Sequence, residues 1–457
     1  MRRAVIIAVL LAAAAPATAQ ENSDLNLIPQ AVQNAPEAKP ESPPHGKYSV
    51  LDALGGYTYR GTLAVPATYG SAPSRWANRT SLDALDTWTL ATDLTATFSD
   101  QLSATFADGV GFPNQVVRND PRELYLTWEP LPETYVETGR INVRNGVAYG
   151  YNPTDFFRSR TTVAQASSDP SAQRVNRLGV VMLRAQRIFD GGAIDFVFAP
   201  KLHTPSRIGA IAGPFDPKFD QTNAADRIEA SLSFELEDLS PQVLVYQESG
   251  RTQIGLNISH PIGSSIVAYL SWAGGEAPDL IVDAIAFGRR TRTIPDVAPL
   301  LPPTDTARRF ENQVSLGASW SGEDKESVSI EYNYSQTGFS KRDWRNWFST
   351  GANSMLAPEM WYIRGYAGDR QVPVSQHQAF ARVDWYEPWN FEHFDINALV
   401  MTSLEDGSCF GQLAASYDIS DNWSIGAFLG GTAGSARSEW GSLSSAASAT
   451  IQVARYF

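Results

Sequence analysis

The stretch "RIEASLSFEL", Arg227–Leu236, puts Ile228, Ala230, Leu232, Phe234 and Leu236 on one side and Glu229, Ser231, Ser233 and Glu235 on the other. A side-chain period of two belongs to an extended strand, here with one apolar and one wet face. The pattern recurs along the chain. In "SVSIEYNYS", Ser327–Ser335, the apolar or aromatic Val328, Ile330, Tyr332 and Tyr334 oppose Ser327, Ser329, Glu331, Asn333 and Ser335. "ENQVSLGASW" and "TQIGLNISH" alternate in the same way. "WTLATDLTATF", Trp88–Phe98, reads as one more strand, with Asp93 on its wet face.

Alternation alone would also suit a soluble sandwich, and the connections decide between them. Short turns at 99–100, 130–133, 190–192, 237–240, 260–264, 321–324, 387–390 and 418–422 are interleaved with long irregular segments. The long ones are 66–87, 145–177, 203–225, 274–309 and 338–375. Short turns on one side and long loops on the other are the rhythm of a membrane barrel. The expected fold is therefore all-β: a transmembrane antiparallel β-barrel with short periplasmic turns and long extracellular loops. Eighteen strands can be counted between about residue 55 and the end, sixteen being the alternative. Trp88, Trp128, Trp320, Trp385 and Trp423 stand beside turns and are expected at the two membrane interfaces.

"MRRAVIIAVLLAAAAPATAQ" has two arginines, an apolar run from Ala4 to Ala15, Pro16 and the small-x-small triplet Ala17–Ala19. This order marks residues 1–19 as a signal peptide. Residues 20–46, rich in Pro, Glu and Asn, read as a flexible periplasmic leader, and 47–457 as the barrel. A single cysteine, Cys409, excludes an internal disulfide or a multi-cysteine metal site, and the formal charge of -13 argues against nucleic acid. The last strand, "SSAASATIQVARYF", ends on Phe457. That ending resembles the insertion signal of bacterial outer-membrane barrels, although Arg455 stands where a Tyr is common. The resemblance implies the barrel-assembly machinery as a partner and the outer membrane of a Gram-negative bacterium as the location. Membrane lipid and lipopolysaccharide would surround the wall, with a homotrimer one assembly open to it and the oligomeric state not fixed by the sequence.

"ETGRINVRNGVAYGYNPTDFFRSR", Glu137–Arg160, is the most distinctive stretch. Gly139, Arg140, Gly146, Asn152, Pro153 and Asp155 form a strand-to-loop pattern, Gly-Arg-x5-Gly followed by Asn-Pro-x-Asp. It resembles large proteobacterial outer-membrane porin-like barrels, including the alginate-export type, over some twenty residues. By strand phase Arg140, Asn142 and Arg144 share a face opposite Ile141 and Val143, and the arginines should look into the lumen. Arg184, Arg382 and Lys201 should do the same, as should Asp93, Glu123, Asp195, Glu229, Glu235, Glu331, Asp384 and Asp395. The selectivity candidates are Arg140, Arg144, Arg184 and Arg382, whose forked donors suit carboxylates.

Asn152, Pro153, Asp155 and Phe156 mark a candidate constriction loop; a loop packed on the barrel mouth is the other reading. Trp344, Trp347, Trp361 and Tyr362 mark an extracellular lid or partner contact. The function expected is an outer-membrane channel for small hydrophilic solutes, anionic or carboxylate-bearing. The alternatives are an exporter of polysaccharide working with a periplasmic partner bound by the leader, and a non-conducting structural or adhesive barrel. The five histidines lack metal-ligand spacing and no nucleophile elbow is present. Neither catalysis nor a cofactor or metal is expected.

Overall fold

The structure, a computed structural model, describes residues 54–66, 75–107, 115–203, 213–290, 308–350, 357–443 and 445–456. The signal peptide, the leader and Phe457 lie outside the described residues.

Eighteen strands are described. The first six are β1 (Leu54–Pro66), β2 (Arg75–Ala91), β3 (Leu94–Ala107), β4 (Gln115–Leu131), β5 (Thr134–Ile141) and β6 (Val180–Phe189). Next come β7 (Gly192–Ala199), β8 (Arg227–Phe234), β9 (Ser240–Glu248), β10 (Arg251–Ile262), β11 (Ile266–Ala277) and β12 (Arg309–Ser321). The last are β13 (Glu326–Ser335), β14 (His377–Tyr386), β15 (Phe394–Ser403), β16 (Cys409–Ser420), β17 (Trp423–Ala433) and β18 (Ser445–Tyr456). Each pairs antiparallel with its neighbours in sequence. β18 returns to β1, with Tyr456 opposite Gly56 and Ser448 opposite Ala64, so the ring closes. Closure removes every sheet edge and pairs the backbone polar groups of the wall internally, as hydrocarbon requires.

The two faces are told apart by adjacent residues. Ile330 on β13 is 62% exposed, whereas Glu331 beside it is 2% exposed. Leu316, Val243, Leu183, Leu429 and Ile451 share the outward apolar face with Ile330. No helix among the described residues is long and apolar enough to span a membrane. The molecule is a transmembrane barrel.

Four sequence expectations shift. The segment 66–87 is not one long loop, because β2 occupies it from Arg75 onward. The turn expected at Ser99-Asp100 is the middle of β3; the hairpin turn is Thr92-Asp93, and Asp93 is an exposed turn residue whose carboxylate accepts the Trp128 indole N–H at 3.0 Å. Lys201 and Glu235 lie just beyond β7 and β8, exposed rather than facing the lumen. The five tryptophans gather at the short-turn end alone, near the ends of β2, β4, β12 and β14 and the start of β17. They make one girdle instead of two. Within it Trp423 lies under the Arg455 guanidinium at 5.4 Å.

Five α-helices are described in the long connections: α1 (Pro170–Val175), α2 (Phe219–Thr222), α3 (Leu280–Arg290), α4 (Lys341–Thr350) and α5 (Ala357–Arg370). α3, α4 and α5 share an apolar cluster that includes Leu280, Ala284, Trp344, Trp347, Ile363 and Tyr366.

Candidate functional site: the segment that crosses the barrel

The connection between β5 and β6, residues 142–179, folds into the barrel. Its hydrogen bonds run around most of the wall. Asn142 N–H donates to Glu123 of β4, and Arg122 of the same strand donates to Asn176 at 3.1 Å. Farther along, Asn145 donates to Glu229 of β8 at 2.6 Å, and Thr154 to Asn257 of β10 at 2.8 Å. The Val147 N–H reaches Ser271 of β11, and the Tyr151 hydroxyl reaches Gln313 of β12 at 2.6 Å. Glu331 of β13 accepts the Tyr149 and Gly150 N–H groups and the Tyr269 hydroxyl. Arg382 of β14 pairs with Asp169 at 3.1 Å, and Gln412 of β16 accepts from Ser168 N–H at 2.7 Å. Arg79 of β2 donates to the Ala164 carbonyl. A segment tied to luminal side chains of nine strands is a crosspiece, not a flap on the mouth.

Its internal order follows from the quoted pattern. Asn152 is bonded through its side chain to both the N–H and the carbonyl of Ala148, closing a tight bend. Gly146 has φ +94°, and an added Cβ would lie 2.3 Å from Asn152 Oδ1, so only glycine serves there. Gly139 has φ +133°, with the Leu124 carbonyl 2.3 Å from where a Cβ would stand. Asp155 takes a forked bond from Arg177, at 2.7 and 2.8 Å, with Arg174 Nε at 3.4 Å. Arg177 is 1% exposed, so this buried pairing is what keeps its charge compensated. Phe156 stacks on Tyr246 of β9 at 4.6 Å, and Phe157 meets the same ring edge-on at 5.8 Å.

That aromatic contact belongs to a core inside the barrel. Ile141 and Val143 pack there with Val180, Met182, Val197, Leu244 and the two phenylalanines. The lumen along β5–β11 is thus filled, by this core and by the polar contacts of Glu229, Asn257 and Ser271 with the crosspiece. On the other side a cavity of about 720 Å³ remains between the crosspiece, the end of α5 with residues 371–374, and the wall of β14–β18. Tyr149, Tyr151, Arg158 and Arg174 face it from the crosspiece, Arg364 from α5, and Glu439 and Trp440 from the β17–β18 connection.

The four arginines singled out in the sequence do not assemble. Arg140 shares its register with Leu124 and Val181, the face opposite Glu137 and Arg184, so the expected luminal phase is wrong for it. Its guanidinium donates to the Gly179 and Pro217 carbonyls and lies over Phe219. The assignment also fails for Ile141 and Val143, which enter the internal core instead of meeting lipid: Ile141 pairs with Val180 on the face of Glu137 and Arg184, and Val143 lies beyond β5, where the chain turns inward. Arg144 sits on the crosspiece among Glu123, Arg177 and Asp155. Arg184 does face the lumen but is fully engaged by Glu137 at 3.0 Å and Asp195 at 2.7 Å. Arg382, eight strands away, holds Asp169 and Asp384 and lies over Tyr149.

Asn152, Pro153, Asp155 and Phe156 are all buried in the crosspiece. Trp344 and Trp347 are buried in the helical cluster rather than displayed, and Trp344 donates to Ser375 at 2.9 Å. The side chains of Trp361 and Tyr362 lie outside the described residues. Arg158, Arg174 and Arg364 were missed because they sit on loop elements, where strand phase carries no information; Arg158 and Arg174 do flank the Asn-Pro-x-Asp signal. Among the described residues no cluster of His, Cys, Asp or Glu is arranged to hold a metal ion.

No family model and no curated protein matches the chain. Solved structures similar to it include Pseudomonas aeruginosa OpdK with vanillate, at 8% identity and TM-score 0.48, over 89% of this chain and 98% of that one. Acinetobacter baumannii OccAB3 is similar at 8% identity and TM-score 0.47, over 89% and 99%. A mutant Rhodopseudomonas blastica porin is similar at 10% identity and TM-score 0.38, over 88% and 99%. The closed strand register, not these likenesses, establishes the barrel.

Proposed function

We propose that the chain is an outer-membrane channel passing small hydrophilic solutes, with anions and carboxylates preferred over cations. The observation that carries this reading is the charge of the crosspiece. Residues 142–179 hold five arginines (Arg144, Arg158, Arg160, Arg174 and Arg177) against Asp155 and Asp169, a formal +3 inside a chain of formal charge -13. Arg158 donates to the carbonyls of Arg370, Asn152, Pro153 and Asp155 and to the Tyr151 hydroxyl, all uncharged acceptors. A positive constriction walled by low-dielectric protein concentrates anions from solution. The path runs through the cavity between the crosspiece and β14–β18.

The test is the reversal potential of the purified protein in planar bilayers under a potassium chloride gradient. Wild type is expected to favour chloride, and Arg174→Gln and Arg364→Gln are expected to move the preference toward potassium. A channel indifferent to ion sign in all three proteins would overturn the anionic reading, and the absence of any current would overturn the channel.

A further inference from the structure

The cavity has two kinds of wall. Phe410 of β16 and Trp440 stack at 5.5 Å with 30° between their planes, and Met401, Leu443, Val372 and Val374 extend that apolar surface. Facing it are the cations Arg174 and Arg364. We propose that this cavity is a solute-binding subsite for carboxylates that carry an aromatic ring, the ring lying on the Phe410–Trp440 pair and the carboxylate toward Arg364 and Arg174. The proposal rests on the channel reading above and names the solute class that reading leaves open.

The lining favours a ring over a polyhydroxylated acid. Three of the four amides around the cavity are already engaged: Asn152 by Ala148, Gln371 by Arg158, Thr161 and Thr162, and Gln378 by Glu439. A ring laid on the Phe410–Trp440 pair gains offset stacking and apolar burial, whereas hydroxyl groups against that surface would leave water without finding partners. The volume of about 720 Å³ lies within the range of sites that enclose molecules larger than a single ion.

Arg364 can serve the acid without losing its place. It donates to Ser442 at 2.8 Å and to the Glu439 carbonyl at 2.7 Å, and a guanidinium has five donors. The two arginines and the stacked pair approach from different elements, α1, α5, β16 and the β17–β18 connection, so the subsite exists only when the crosspiece and α5 are both in place.

The experiment is current block of the full-length protein in planar bilayers by benzoate, glucuronate and benzyl alcohol. Benzoate is expected to block saturably, at a concentration about tenfold below that needed with glucuronate, while benzyl alcohol blocks more weakly than benzoate. Trp440→Ala, and separately the milder Phe410→Leu, should each raise the benzoate constant several-fold. Trp389→Phe, 74% exposed in the short turn at the opposite end of β14 and β15 from Gln378 and Met401, should leave it alone. Equal block by benzoate and glucuronate, or benzoate block insensitive to both ring variants, overturns the subsite while an anion-selective current leaves the channel reading standing. Equal block by benzyl alcohol overturns the carboxylate half. The absence of any current in wild type overturns the channel reading, and the subsite falls with it.

Discussion

Glu439 shows how one side chain can report on the site. It is 2% exposed, accepts from Ser375 and Gln378, and stands near Arg364 and Asp406; its backbone N–H donates to the Asp406 carboxylate. Burial pushes its carboxyl up to about 6, with the Ser375 hydrogen bond and Arg364 opposing. A carboxyl raised in the folded form favours the protonated state, so its contribution to docking the β17–β18 connection is complete below the ordinary carboxylate range. That contribution is lost as pH rises through about 6. Protonation also removes a negative charge from the cavity wall. Anion selectivity is therefore expected to increase between pH 7 and pH 5 with a midpoint near 6, and Glu439→Gln should abolish that midpoint in reversal-potential titrations. None of this was legible in the sequence, because Glu439 sits in an irregular connection where no period points inward. Arg140 teaches the converse: alternation is legible, but the side assigned from the cost of an arginine against lipid is the wrong one, and the Gly179 and Pro217 carbonyls with Phe219 receive it on the other face.

At the scale of elements, alternation located strands well and hairpins less well. A two-residue turn shifts the period of two by one, and the extra residue Leu90, where the pairing steps from Thr89–Thr95 to Ala91–Leu94, shifts it back. Trp88, Leu94 and Ala96 keep one face across Thr92-Asp93, with Trp88 opposite Ala96 and Leu94 opposite Trp128, so the reversal leaves no mark on the pattern. The aromatic connection 336–376 was legible as unusual but not as folded, since its partner, α3, comes from a different connection. The helices hold to the crosspiece through Arg370 and Gln371, which meet Arg158, and through Asp369, whose carbonyl accepts the Arg160 N–H. Trp344, 3% exposed among Phe339, Trp347 and Phe348, is central to the cluster. Trp344→Ala should cost about 3–5 kcal/mol locally. Limited proteolysis should then cut within 336–376 faster than in wild type while the barrel itself remains resistant.

At the scale of the whole molecule, the core packed inside β5, β6, β7, β9 and β11 is what displaces the cavity from the axis. Alternation hints at this where it fails: in β6, Val180 and Met182 are buried inward, while Leu183 between Met182 and Arg184 points out. A strand covered on both faces reads as a continuous apolar run. The outer face obeys a different solvent. Leu316 on β12, 52% exposed and opposite Leu270 and Tyr332, is placed to meet acyl chains. Leu316→Arg is expected to cost about 2–4 kcal/mol near mid-membrane. Urea titration of the refolded barrel in lipid vesicles should show that loss, whereas Ser319→Thr on the inward face should shift the midpoint little.

The order of manufacture adds a last consequence. The crosspiece emerges after β5, yet seven of the nine strands that anchor it, β8, β10, β11, β12, β13, β14 and β16, have still to be laid down at that moment. Its polar groups then have no wall to grip. The cylinder must roll up around this piece as around a mandrel, since a finished tube would have to admit thirty-odd residues through an opening already bridged by α5 and its neighbours.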